Sequence, residues 1–197
     1  MRTSFLSLLG LVLAAGWAHA DEEWAHVREQ NGVLYERRSV TGSKFYEYRA
    51  TLTVSLPPAR ALDLIWSELS APPPPHVTHR EFLRKTDNDI VIHDDIKTPV
   101  VSDRELTLRL ERYSQPTLGM RFETRNDLGP PPNPKRVQLP VVRGGWRVEP
   151  AGTGSRLIYT CYSEPGGSVP AWMVRGAQQD QVVRDIERQL TRLRAAH

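Results

Sequence analysis

The residues best able to do chemistry in this 197-residue chain are six histidines, one cysteine and a few acids and tyrosines set among apolar neighbours. His76 and His79 stand three apart, and His93-Asp94-Asp95 is a compact set of metal-ligating side chains. A zinc site needs three or four ligands converging on one point, and neither cluster supplies that by spacing alone. Both are read as solvated loop or strand groups, and no metal is assigned. The chain carries no Gly-x-Ser-x-Gly elbow, Walker loop or Gly-x-Gly-x-x-Gly fingerprint. A general acid or base would have to sit among apolar walls with its pKa shifted by desolvation, and Asp94, Tyr159 and Tyr48 are the candidates. None has an evident partner in the sequence, so no catalytic residue and no cofactor is assigned. Cys161 is alone and forms no internal disulfide; it shares a strand face with Leu157 and Tyr159 and reads as a buried, inert thiol.

The elements that would position these groups are mostly strands. WAHVREQ, VLYERRSV and KFYEYRATLTV are separated by Asn31-Gly32 and Thr41-Gly42, and Asn-Gly between such runs is a strong hairpin signal. Tyr46, Tyr48, Ala50, Leu52 and Val54 fall on one face of the third run, with Glu47, Arg49, Thr51 and Thr53 on the other. Pro57-Pro58 opens a short amphipathic helix through Ala61, Leu62, Ile65 and Leu69, which the tract Pro72 to Pro75 stops. A second meander follows as HVTHREFLRKT, DIVIHDDIKT, RELTLRLERY, LGMRFETRND, VQLPVVRGGWRVEP and SRLIYTCYSE. From Pro170 to Ala195 a long amphipathic helix shows Val183, Ile186, Leu190 and Leu193 on one stripe, with Ser168 available as its cap. Gly144-Gly145 and Gly166-Gly167 read as bulge and turn punctuation. This order predicts an α+β domain in which helices cover one face of a curved antiparallel sheet. Leu106, Leu108, Leu110, Met120, Phe122 and Tyr159 alternate with polar residues, and that alternation alone does not separate core from cavity wall.

Met1-Arg2, an apolar run from Phe5 to Ala15 and Ala18-His19-Ala20 before Asp21-Glu22-Glu23 follow the plan of a secretory signal peptide. The run is about half the roughly 20 apolar residues that a membrane-spanning helix requires. Cleavage after residue 20 predicts a periplasmic or secreted chain of residues 21–197, a length suited to one domain. The leader carries one charged residue, Arg2, so its loss lowers the net charge from +3 to +2. That excess is small, and acids and bases are interspersed, which argues against a nucleic-acid partner. A monomer is expected.

Three stretches resemble the bacterial START domains: Val101-Ser102-Asp103-Arg104-Glu105-Leu106, Gly144-Gly145-Trp146 followed by Glu149-Pro150, and Glu164-Pro165-Gly166-Gly167-Ser168-Val169-Pro170-Ala171-Trp172. The family carries an S-D-R-D-F-like strand start, a G-G-W strand and a D-P-G-G-S-I-P-A-W-L lead into its last helix. The resemblance covers Trp24 to Leu193 and implies a helix-grip, START-like fold (Bet v 1-like superfamily): a sheet wrapped around a long C-terminal helix, with an internal apolar tunnel for one lipid, sterol or other apolar molecule. It implies wall residues Leu106, Leu108, Leu110, Met120, Phe122, Tyr159 and Tyr48. The mouth would be framed by the mobile loop Thr98-Pro99-Val100-Val101, by Arg104 paired with Asp103 or Glu105, and by Trp172 and Met173, which either close the tunnel or touch a membrane during exchange. Sterol-carrying relatives set an acid and a base inside the tunnel. Here Leu110 stands where the base is expected, and Asp94 without a partner is costly to bury. The stretch SAPPPPHVTH after the short helix also departs from the family. Lipid binding leads, because ten buried methylenes at roughly 0.8 kcal/mol each suffice for affinity without a catalyst. A helix-grip enzyme acting in the same cavity and a surface-binding module are the alternatives.

Overall fold

The protein is described here by a computed structural model over residues 23–98 and 101–196. The leader, Pro99 and Val100 lie outside the described residues.

Strands β1 (Ala25–Gln30), β2 (Val33–Ser39) and β3 (Tyr46–Val54) form the first meander. Asn31 (φ 53°) and Gly32 (φ 73°) both adopt the left-handed backbone that a two-residue hairpin of matching twist requires. Helix α1 (Pro58–Ser67) buries Ala61, Leu62 and Ile65, and a single 3-10 turn, Glu68–Ser70, leads into the proline tract. The second meander is β4 (Val77–Lys85), β5 (Asp89–Ile96), β6 (Arg104–Tyr113), β7 (Leu118–Thr124), β8 (Val137–Gln138), β9 (Val141–Ala151) and β10 (Gly154–Glu164). The long helix α2 (Ala171–Ala195) ends the chain.

Ten strands form one curved antiparallel sheet in the order β1-β2-β3-β10-β9-β7-β6-β5-β4, with β8 lying parallel to β6 off that path. The centre of the sheet therefore joins the first meander to the last strand, pairing Val54 with Ser155 and Tyr48 with Cys161. The stretch from Val137 to Pro150, read above as one strand, is two. Pro140 lacks the N–H a ladder needs, so β8 ends before it and pairs with β6, while β9 starts after it between β7 and β10. Gly144 and Gly145 are not a bulge: the β9 register runs through them unbroken. A Cβ on Gly144 would lie 2.1 Å from the Thr160 carbonyl oxygen and 2.8 Å from the Phe122 ring, so the missing side chain makes room for Phe122.

One face of the sheet packs on both helices in a single apolar cluster that includes Tyr48, Leu52, Leu62, Trp146, Leu157 and Ile186. The α2 stripe is Val182, Ile186, Leu190 and Leu193; Val183, named from the sequence, is only partly buried. Ser168 does not cap α2, whose N-cap position is Pro170 and carries no side-chain hydrogen bond. The outer face carries cross-strand ion pairs such as Arg49–Glu36, Arg38–Glu47 and Arg109–Asp89. Interspersed charges of the sequence meet there as cross-strand pairs.

Candidate functional site

Two cavities lie between the sheet and α2. The inner one, about 330 Å³, has an apolar wall of Leu110, Met120, Phe122, Trp146 and Tyr159, closed from above by Ile65 and Ile186. Alternation along β6, β7, β9 and β10 directs these side chains inward, because cross-strand partners share a face: Leu110 opposes Phe122, Met120 opposes Trp146, and Trp146 opposes Tyr159. The Trp146 and Tyr159 rings lie 5.0 Å apart, and the Phe122 and Tyr159 rings 6.2 Å apart. The second cavity, about 750 Å³, opens between the loop leaving β5, the Glu164–Val169 turn and the first turns of α2. Ile96, Val101, Leu139, Val169, Met173 and Val174 give it an apolar lining, and the two cavities meet at Pro75, His76 and Arg188. Each volume falls within the roughly 300–1,000 Å³ of small-molecule sites.

Of the wall residues named from the sequence, Leu110, Met120, Phe122 and Tyr159 line the inner cavity. Leu106 is buried and Leu108 half-buried on the same face, but neither lines it. Tyr48 is a core residue whose hydroxyl donates to the Arg175 carbonyl at 3.1 Å. At the mouth, Val101, Arg104 and Met173 line the larger cavity, whereas Trp172 is 77% exposed and does not. Pro99 and Val100 fall outside the described residues. The expected Arg104 ion pair gives way to a different set of partners: its guanidinium donates to the carbonyls of Pro165 and Ser102, tying the start of β6 to the turn before α2. Asp103 faces away to accept from the Lys97 ammonium and the Thr98 N–H, and so pins the start of the mouth loop. These bonds hold its carboxyl below the usual carboxylate range.

The sequence leaves Asp94 without a partner; the structure supplies one. Arg80 on β4, which lines the inner cavity, meets both carboxylate oxygens of Asp94 at 2.7 and 2.6 Å. A base therefore does stand beside the acid, delivered from the neighbouring strand rather than from the Leu110 position. Sequence reasoning also missed Glu68. This side chain follows α1, lines the inner cavity, and has a buried Oε2 with no hydrogen-bond partner, while Oε1 lies 3.8 Å from Arg192. Burial raises its pKa above the ordinary value. The inner cavity is thus amphipathic, apolar along the sheet and charged towards the proline tract and α2.

Three sequence candidates for chemistry are engaged or quenched. Both Asp94 oxygens are taken, Tyr48 donates to the backbone, and burial pushes the Tyr159 phenol well above its usual pKa. The Cys161 thiol is raised to about 11 by desolvation. His76 lines both cavities, with burial lowering its pKa, and His79 is exposed.

A ten-stranded sheet wrapped on a long C-terminal helix is the START-type helix-grip fold. The solved structures that share it include a STAR-related lipid transfer protein from Xanthomonas axonopodis (TM-score 0.73, 22% identity, 87% of this chain and 98% of that one) and human STARD10 (TM-score 0.69, 14% identity, 88% and 74%). The di-domain aromatase/cyclase StfQ of the steffimycin pathway also shares it (TM-score 0.50, 18% identity), over 76% of this chain and 49% of that one. In sequence, an uncharacterised protein of Pseudomonas aeruginosa is 24% identical over 171 residues, 84% of each chain. No family model matches the chain.

Proposed function

We propose that this protein binds, and carries, one lipid or similarly amphipathic molecule inside the helix-grip cavity, and that it does so as an exported, monomeric protein without catalysing a reaction. The observation that carries this reading is the pair of adjoining cavities, apolar along β6, β7, β9 and β10 and polar where Glu68, His76, Arg80 and Arg192 gather. An acyl chain or ring system would lie against Phe122, Trp146 and Tyr159. A hydroxyl or other donor would satisfy the Glu68 oxygen that the protein leaves unpaired, since a buried acceptor without a partner costs about 1–3 kcal/mol. STAR-related lipid transfer proteins among the structures of the same fold support a lipid as cargo. The engaged state of Asp94 and Tyr48 and the raised pKa of Tyr159 support binding over turnover. Exposed Trp172 and Met173 at the start of α2 would give the mouth a membrane contact during exchange.

Native mass spectrometry of the protein isolated from the periplasm of its own cells, followed by extraction of whatever dissociates, tests the reading. A stoichiometric apolar adduct, reduced in Met120→Trp because the larger side chain fills the inner cavity, is the expected result. A ligand-free mass that also resists loading with lipid mixtures would overturn it. Conversion of a loaded compound into a new product would favour the cyclase-like alternative that StfQ represents.

A further inference from the structure

We infer that the outer face of the sheet carries a binding site for a divalent transition ion of the zinc class, built by His93 and Asp95 of β5 and Glu105 of β6. The His93-Asp94-Asp95 triplet cannot act as one ligand set, because strand alternation sends Asp94 inward to Arg80 and turns His93 and Asp95 outward together. The antiparallel register then sets Glu105 directly opposite Asp95 and Thr107 opposite His93. One ligand atom from each of His93, Asp95 and Glu105 lies within 4.8 Å of the other two.

These side chains are 7%, 13% and 3% exposed, beneath the segment that runs from Gly129 to Arg136. Each is held by one atom and offers another. His93 Nδ1 is 3.0 Å from the Thr107 hydroxyl; with the proton on Nδ1, its Nε2 lone pair faces Asp95 Oδ1 at 3.8 Å. Asp95 Oδ2 pairs with Arg136 at 2.8 Å, while its buried Oδ1 has no hydrogen-bond partner. Glu105 Oε1 accepts the Asn133 N–H at 2.9 Å, and its Oε2 is only 4.0 Å from Arg136. Outer atoms fixed by hydrogen bonds and inner atoms converging is how ligating imidazoles and carboxylates are oriented around a metal. The network leaves Asp95 Oδ1 without a hydrogen bond, and an ion between it and His93 Nε2 would supply its partner. Two carboxylates against one guanidinium leave a negative excess for a cation, and a contraction of the set to metal–ligand distances of about 2.0–2.2 Å would leave a fourth position open.

Zn²⁺ titrated alone into chelator-treated protein, followed by calorimetry and thermal melting, tests the site. One ion per chain is expected, with a raised melting temperature and at least a tenfold loss of affinity in Glu105→Gln and in His93→Gln, but not in the exposed His79→Gln. Long-range ¹H–¹⁵N spectra of the unmutated protein need no variant: Zn²⁺ should shift His93 Nε2 and leave His76 and His79 in place. The absence of saturable binding, equal affinity in folded Glu105→Gln, or shifts confined to another histidine would each overturn the inference. None of these readouts depends on whether the inner cavity holds lipid.

Discussion

Asp94 is a charged residue on the buried inner face of the sheet. A carboxylate with 5% of its side chain exposed is tolerable because Arg80, 14% exposed, covers both oxygens. Removing one member strands a charge, whereas removing both need not. Arg80→Met should therefore lose about 3–5 kcal/mol in urea unfolding, and Arg80→Met with Asp94→Leu should regain most of it. A single mutant that unfolds at the wild-type midpoint would show the pair to be water-accessible and of little weight. The sequence singles out Asp94 as a candidate acid but conceals both its burial and its partner, because Arg80 and Asp94 are 14 residues apart and their meeting depends on the β4–β5 register. The same holds for Glu105 opposite Asp95. Single-strand periodicity sorts residues by face, while which residues meet across strands is set by a register that no local pattern contains.

At the scale of elements, α2 has two duties that its own stripe separates. Leu193 is 1% exposed and lies in the closed core, while Ile186, equally buried, roofs the inner cavity. Leu193→Ala should cost about 2–5 kcal/mol in denaturant unfolding. Ile186→Ala should fall near the lower end of that range and also admit a bulkier ligand, read by native mass spectrometry; an unchanged ligand profile would remove Ile186 from the roof. Both helices, the Asn31-Gly32 hairpin and the alternation of β3, β6 and β7 were legible because each is a local pattern. What escaped was tertiary in origin. Pro140 splits a strand because the residues before it pair with β6 and those after it with β7 and β10, and Gly144 is needed for the Phe122 ring across the ladder rather than for a bulge. The cavity wall was half legible: Leu106 and Leu108 share Leu110's face, yet they stand nearer the start of β6, outside the lining.

For the whole molecule, the mouth is where cavity and surroundings meet. Arg175 is already engaged, donating to the Lys44 carbonyl at 2.8 Å and lying 5.0 Å from the Tyr46 ring centre, so the contact proposed for a bilayer rests on Trp172 and Met173. Trp172→Ala should reduce flotation with anionic vesicles several-fold while leaving the amount of lipid held per protein unchanged. Loss of holding without loss of flotation would make the indole a lid instead. The pairing of β3 with β10 carries a further consequence, for the order in which the chain is made. Val54 cannot find Ser155, nor Tyr48 find Cys161, until nearly the whole chain has been synthesised, and α2 follows later still. A nascent chain ending at Ala151 has two separate meanders and no centre to join them, so folding is deferred to the last stage of synthesis. That delay suits the export proposed above: the chain would be handed across a membrane unfolded and would close around the proposed cargo only after its release.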